Sequence, residues 1–214
     1  MKMKAAKIIR VITVPPVMAG SLILILALCR KGMFRGAGDI VLAVLSLMII
    51  PVLAYPLQNV IPGFKGKGRD GQRKLAFIFT LFGYLAGAII GYLTHVTADL
   101  HRLSVLISQQ SPCHGFADLQ FVLNAYLLSV LILIFFNKVL HIRASGHGCS
   151  VTGPLVLLIY FIGPVVILPC IMLACAVVWS SVLLKRHKPS DLAFGGLSVI
   201  ISCAILLLIG LLIR

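Results

Sequence analysis

Residues 151–184 carry no Lys, Arg, His, Asp or Glu. A helix needs about 20 mostly apolar residues to cross a bilayer, so this stretch is too long for one span and too short for two independent ones. Gly163-Pro164 is the natural break within it, because proline removes a backbone donor and disfavours helix in the residue before it. Counting from residue 144 to 163 gives one full-length span, and 165–184 gives another. Comparable apolar runs recur along the chain, and only 11% of the 214 residues are charged, against about 25% in a soluble domain. So few charges cannot cover a soluble fold of this size, which excludes an ordinary cytosolic enzyme and a disordered chain. The chain is expected to be an all-α integral membrane protein, a bundle of about six or seven transmembrane helices forming a single multi-pass domain over residues 1–214.

The runs are separated by short polar stretches. The first, 11–29, has Pro15-Pro16 near its start and ends at Arg30, Lys31 and Arg35. The leading Met-Lys-Met-Lys resembles a signal-peptide n-region, but no convincing small-residue cleavage site follows, so the run is expected to be a retained helix. Asp39 suits an N-cap for 40–61, which Pro51 and Pro56 would kink. A glycine-rich polar loop, 64–74, leads to 75–96, where Gly83, Gly87 and Gly91 form a small-residue stripe suited to close helix packing. Residues 98–116 are mixed, with Leu100, Leu103, Leu106 and Ile107 spaced for a short interfacial helix. Asp118 suits a cap for 119–136. After the polar turn 185–188, Pro189 and Ser190 open a last helix reaching about residue 213.

The net charge of +14 comes from 19 Lys/Arg against five Asp and no Glu. These charges form short clusters between apolar runs, not one basic domain, so the expected partners are membrane lipids and not nucleic acid. With seven spans, fourteen basic residues fall on one face and five on the other. The positive-inside rule then places the N-terminus in the cytoplasm and the C-terminus outside, in a cell membrane. The six cysteines show no metal-ligand spacing and read as small buried hydrophobes. His141 reads as an interfacial residue, while His95, His101 and His114 fall on the opposite face. Tyr55, Tyr84, Tyr92 and Trp179 read as interface anchors.

Ionisable groups at helix ends of a membrane protein are functional candidates. Ser145-Gly146-His147 puts a hydroxyl, a flexible backbone and an imidazole at a helix N-terminus, where free N–H groups and the helix dipole favour an anion. Its bland alternative is a helix cap. His187 and Asp191 lie four residues apart around Pro189, so their side chains are expected to meet. A carboxylate that accepts from one ring nitrogen leaves the other nucleophilic, whereas the bland alternative is a structural polar turn. Lys138, Arg143, Arg69 and Arg73 can supply positive charge to a phosphate, or can simply line basic loops. Together these groups suit phosphoryl transfer through a histidine, with no metal or cofactor.

At these residues the chain resembles the type-2 phosphatidic acid phosphatase superfamily, over roughly residues 137–213. The segment from Ser180 through His187 and Asp191 to Gly196 is similar to its third signature, Ser-Arg-x5-His-x3-Asp. Ser145-Gly146-His147 is similar to the second, Pro-Ser-Gly-His. The resemblance implies that His187 is the nucleophile forming a phosphohistidine and Asp191 its orienting carboxylate. It also implies that His147 protonates the leaving alkoxide and that Ser145 and the Gly146 backbone hold the phosphate. Three departures stand out: Ser181 replaces the family arginine, Ala144 replaces a proline, and the first motif, Lys-x6-Arg-Pro, is absent, with Lys138 and Arg143 nearest to it. The loop Arg69-Asp70-Gly71-Gln72-Arg73-Lys74 resembles a charged loop of divergent prokaryotic branches, so Arg69 or Arg73 is a candidate replacement. The expected function is hydrolysis or transfer of a lipid phosphate or diphosphate. The alternative is a non-catalytic, phosphatase-like membrane protein that binds or moves anionic lipid. The residues leave the oligomeric state open.

Overall fold

A computed structural model describes residues 2–105 and 114–212, and of 95–105 and 114–117 the backbone alone. Every regular element among the described residues is helical. Five helical segments are long and apolar enough to cross a membrane: Ala37–Leu57, Gly68–Thr94, Asp118–Lys138, Pro164–Leu183 and Pro189–Leu212. A bent pair of N-terminal helices makes six if it counts as one span. The chain is thus an all-α, multi-pass membrane bundle. Only 22–50% of each span's most apolar window is buried, so most of the remaining apolar surface faces outward, as lipid contact requires.

The chain packs as two compact units. The first joins Met1–Cys29 to Ala125–Arg214 and holds helices α1 (Lys2–Ile12), α2 (Pro15–Cys29), α7 (Gly146–Ile162), α8 (Ile167–Leu183) and α9 (Pro189–Leu212). The second, Arg30–Asn124, holds α3 (Ala37–Val44), α4 (Ile50–Leu57) and α5 (Gly68–Val105). Helix α6 (His114–Lys138) gives residues to each.

In the first unit, the expected single span over 11–29 is instead two helices bent by 61°. Pro15 and Pro16 lack the N–H groups that would continue α1, and Thr13 turns its hydroxyl back to the Ile9 carbonyl. Helix α1 packs on α8, and α2 on α7. The Gly163-Pro164 break forms as expected: α7 stops at Ile162 and Gly163 takes φ 94°, ψ −161°, a backbone conformation essentially restricted to glycine. At 17 residues, α7 is about 26 Å long, shorter than the span expected over 144–163.

In the second unit, α3 and α4 are joined by a π-helical turn, Leu45–Ile49, in which the Ile50 N–H reaches back to the Leu45 carbonyl. The wider turn stands directly before Pro51, which has no N–H to give. Asp39 is not the N-cap expected for this segment; Gly36 is. Asp39 sits in the first turn and accepts from the Arg35 N–H at 2.9 Å, while its two oxygens pair with the Arg35 guanidinium at 2.9 and 3.0 Å. Asp118 is likewise not a cap: α6 starts at His114, and the Asp118 carboxylate lies 3.5 Å from Arg30. The glycine stripe of α5 serves packing. A Cβ on Gly83 would stand 2.7 Å from the Ser46 carbonyl, and one on Gly87 2.6 Å from the Ser46 side chain. The interfacial helix expected over 98–116 differs in part, since α5 continues to Val105; residues 106–113, with Cys113, lie outside the described residues.

Candidate functional site

The site is built where α7 and α9 begin. Both helices open on a capped first turn. Ser145, 4% exposed, accepts the Gly148 N–H on its Oγ at 3.3 Å, which satisfies one of the unpaired donors that every helix start presents. Asp191, also 4% exposed, accepts the Lys188 N–H on its carboxylate at 3.3 Å. One backbone bond, from the Ser145 N–H to the Asp191 carbonyl at 2.8 Å, ties the two starts together.

Glycines let the helices meet this closely. A Cβ on Gly148 would stand 2.6 Å from the Leu192 carbonyl oxygen, one on Gly195 would overlap the Ser145 carbonyl oxygen, and one on Gly196 would stand 2.9 Å from the Thr152 hydroxyl. Gly148 lies against Leu192 and Thr152 against Gly196, so α7 and α9 run parallel, with their N-termini side by side.

The connection from α6 is fixed by Asn137. Its amide donates to the Leu133 carbonyl at 2.8 Å and the Ala144 carbonyl at 3.1 Å, and accepts the Ala144 N–H at 3.2 Å. His141 turns the chain with φ 53°. Ala144 seats in a small core with Leu133 and Phe136, against Phe194 of α9. This clamp delivers Arg143 to the mouth of the site. Its Nε lies 3.4 Å from Asp191 Oδ2, with 73% of the Arg143 side chain exposed.

The two histidines stand on neighbouring elements. His147 sits in the first turn of α7, outside the five candidate spans and partly buried. His187 lies in the turn between α8 and α9, also partly buried.

Ser145, Gly146, His147, Arg143, His187 and Asp191 thus fall in one region of the first unit. Lys138 ends α6 and is exposed. Arg69 and Arg73 are exposed at the start of α5, in the second unit. Ser181 is buried near the end of α8, and its carbonyl accepts the Arg186 N–H at 3.0 Å. Among the described residues, no group of three or more His, Cys, Asp or Glu side chains is placed to share a metal ion. Beside the two helix starts, an apolar groove of about 460 Å³ runs between α7, α8 and α9, lined by Gly148, Val151, Val177, Pro189, Leu192 and Ile200 among others. The arrangement sets two helix N-termini side by side, with the Arg143 guanidinium paired to Asp191 at their mouth and hydrocarbon-lined space alongside. No protein-family model matches the chain, and neither a curated protein nor a solved structure matches it significantly.

Proposed function

We propose that the chain is a membrane-embedded, metal-independent phosphatase or phosphotransferase acting on a lipid phosphate or diphosphate through a phosphohistidine on His187. One observation carries the reading: the 2.8 Å bond from the Ser145 N–H to the Asp191 carbonyl holds the starts of α7 and α9 side by side, with His147 in the first turn of one and His187 in the turn that leads to the other. The groove between α7, α8 and α9 supports a substrate with a hydrocarbon tail, such as a polyprenyl or glycerolipid phosphate.

In this mechanism a ring nitrogen of His187 gives its lone pair to phosphorus, and the bond from phosphorus to the lipid oxygen breaks. His147 gives that oxygen its proton. Water then attacks the phosphohistidine, His147 accepts the water's proton, and the phosphorus–nitrogen bond breaks to release inorganic phosphate. Asp191 keeps the His187 ring oriented. Ser145, the Gly146 N–H and the Arg143 guanidinium hold non-bridging oxygens, with Lys138 as a further candidate. The charge bias places the N-terminus and this site on the cytoplasmic face of the cell membrane and the C-terminus outside. That orientation takes the bent α1–α2 pair and α7 each as one pass.

The test is phosphate release from a panel of lipid phosphates in detergent with a chelator present. The wild type releases phosphate and His187→Ala does not; a wild type inactive on every member overturns the reading. A second reading, a protein that binds lipid phosphate without cleaving it, is favoured by Ser181. Losing one donor to the transferred group's oxygens costs about 2.7–4 kcal/mol of transition-state stabilisation. Binding of lipid phosphate without turnover would support it.

A further inference from the structure

We propose that the outward face of α1 is a docking surface for a bilayer phospholipid with an anionic head group, held at Lys4 and Lys7 with its hydrocarbon tail along Ile8, Val11 and Ile12. This surface stands apart from the paired starts of α7 and α9, and the inference does not rest on the proposed function.

The seat of α1 is fixed at two levels. Ser180 donates its hydroxyl to the Ala6 carbonyl at 2.8 Å, and both residues are buried. Ser180 lies one turn before the end of the span Pro164–Leu183. Its neighbour Trp179 is exposed, at the depth where aromatic anchors of a membrane protein sit. Ile12 and Thr13 line one cavity with Leu173, about two turns earlier on α8. Helix α1 therefore runs antiparallel to α8. Its N-terminal half stands by the polar end of α8, and its C-terminal half by the apolar middle.

The residues that α1 turns outward follow the same order. Lys4, Ile8 and Val11 recur at spacings of four and three on the face opposite Ala6, with Lys7 and Ile12 on its flanks. All five are exposed, Ile8, Val11 and Ile12 by 61%, 66% and 52%. On this face the first half of α1 presents ammonium groups and the second half hydrocarbon, which is the order a lipid standing in one leaflet presents. Lysine stems lie along apolar surface while their ammonium groups reach the head-group layer.

Charge selects an anionic head group. Residues 1–29 and 125–214 hold ten Lys or Arg and one acidic side chain, Asp191, which already lies 3.4 Å from Arg143. The turn after α8 adds exposed Lys185, Arg186 and Lys188 at the end where Lys4 and Lys7 stand. Counter-charge for these cations has to come from outside the unit. Each basic side chain near an anionic membrane surface strengthens attachment about fivefold.

The experiment uses the full chain in lipid nanodiscs, with Ile8→Trp in a Trp179→Phe background as reporter and chain-brominated lipids as quenchers. Brominated phosphatidylglycerol should quench the reporter with an apparent affinity about fivefold or more above that of brominated phosphatidylcholine, and the preference should shrink as salt rises. Lys4→Gln with Lys7→Gln should abolish the preference, whereas Lys65→Gln with Lys67→Gln, in the other unit, should leave it intact. A check without the reporter is native mass spectrometry. From an equal mixture, wild type should retain more phosphatidylglycerol than phosphatidylcholine, and the Lys4, Lys7 double variant should not. Equal quenching by the two lipids overturns the inference. So does a preference that survives the loss of Lys4 and Lys7, which would put the anionic lipid elsewhere on the chain. A preference lost equally in the Lys65, Lys67 double variant also overturns it, since overall charge would then be the cause.

Discussion

Adding one methyl group at Gly148 puts a carbon 2.6 Å from the Leu192 carbonyl oxygen and 3.0 Å from Leu192 Cα. Those neighbours are backbone, so no side chain can swing away. Restoring ordinary contact requires α7 and α9 to separate by roughly 1 Å. A shift of that size stretches the 2.8 Å bond between the Ser145 N–H and the Asp191 carbonyl beyond hydrogen-bonding range, a loss of about 1 kcal/mol. Overpacking adds about 1–3 kcal/mol, and the better helix propensity of alanine returns about 0.5–1 kcal/mol. Gly148→Ala is therefore expected to destabilise the protein by about 1–3 kcal/mol. Gly146→Ala, two residues earlier, is the control. Its new methyl would meet only the Leu133 side chain at 3.9 Å, so it should be neutral or slightly stabilising. Chemical unfolding in detergent, followed by the fluorescence of Trp179, compares the two. Equal stability of the two variants would refute the reasoning, since propensity alone favours alanine at either position.

For orientation, Cys113 should react with a membrane-impermeant thiol reagent added outside intact cells, and labelling only after permeabilisation would invert the proposed topology.

The membrane bundle was legible because lipid imposes a coarse rule: a run of apolar residues must be about one bilayer long. The Gly163-Pro164 break, the opening of α9 at Pro189 and the packing stripe at Gly83, Gly87 and Gly91 follow from local chemistry that any single segment displays. Misreadings arose where a polar group had a choice of partners. Asp39 and Asp118 each looked like caps, yet each took a cation instead, Arg35 and Arg30 respectively. The run 11–29 read as one span despite Pro15-Pro16 near its start, and nothing local says that the chain bends there and that a separate helix precedes it. In the candidate site, Ser145, His147, His187 and Asp191 could be picked out because they stand in two short segments. Asn137 was passed over as one polar residue among several, although three hydrogen bonds make it the clamp of the loop.

The side-by-side, parallel starts of α7 and α9 have a consequence for how this site would respond to mutational scanning. In the proposed reading, part of its pull on an anion would come from peptide N–H groups such as those of Gly146 and Ser190, and no side-chain truncation removes a peptide N–H. A replacement series across residues 143–148 and 187–191 would therefore understate that attraction. Backbone chemistry, such as swapping a single amide for an ester at Gly146, would reveal the part that alanine leaves untouched.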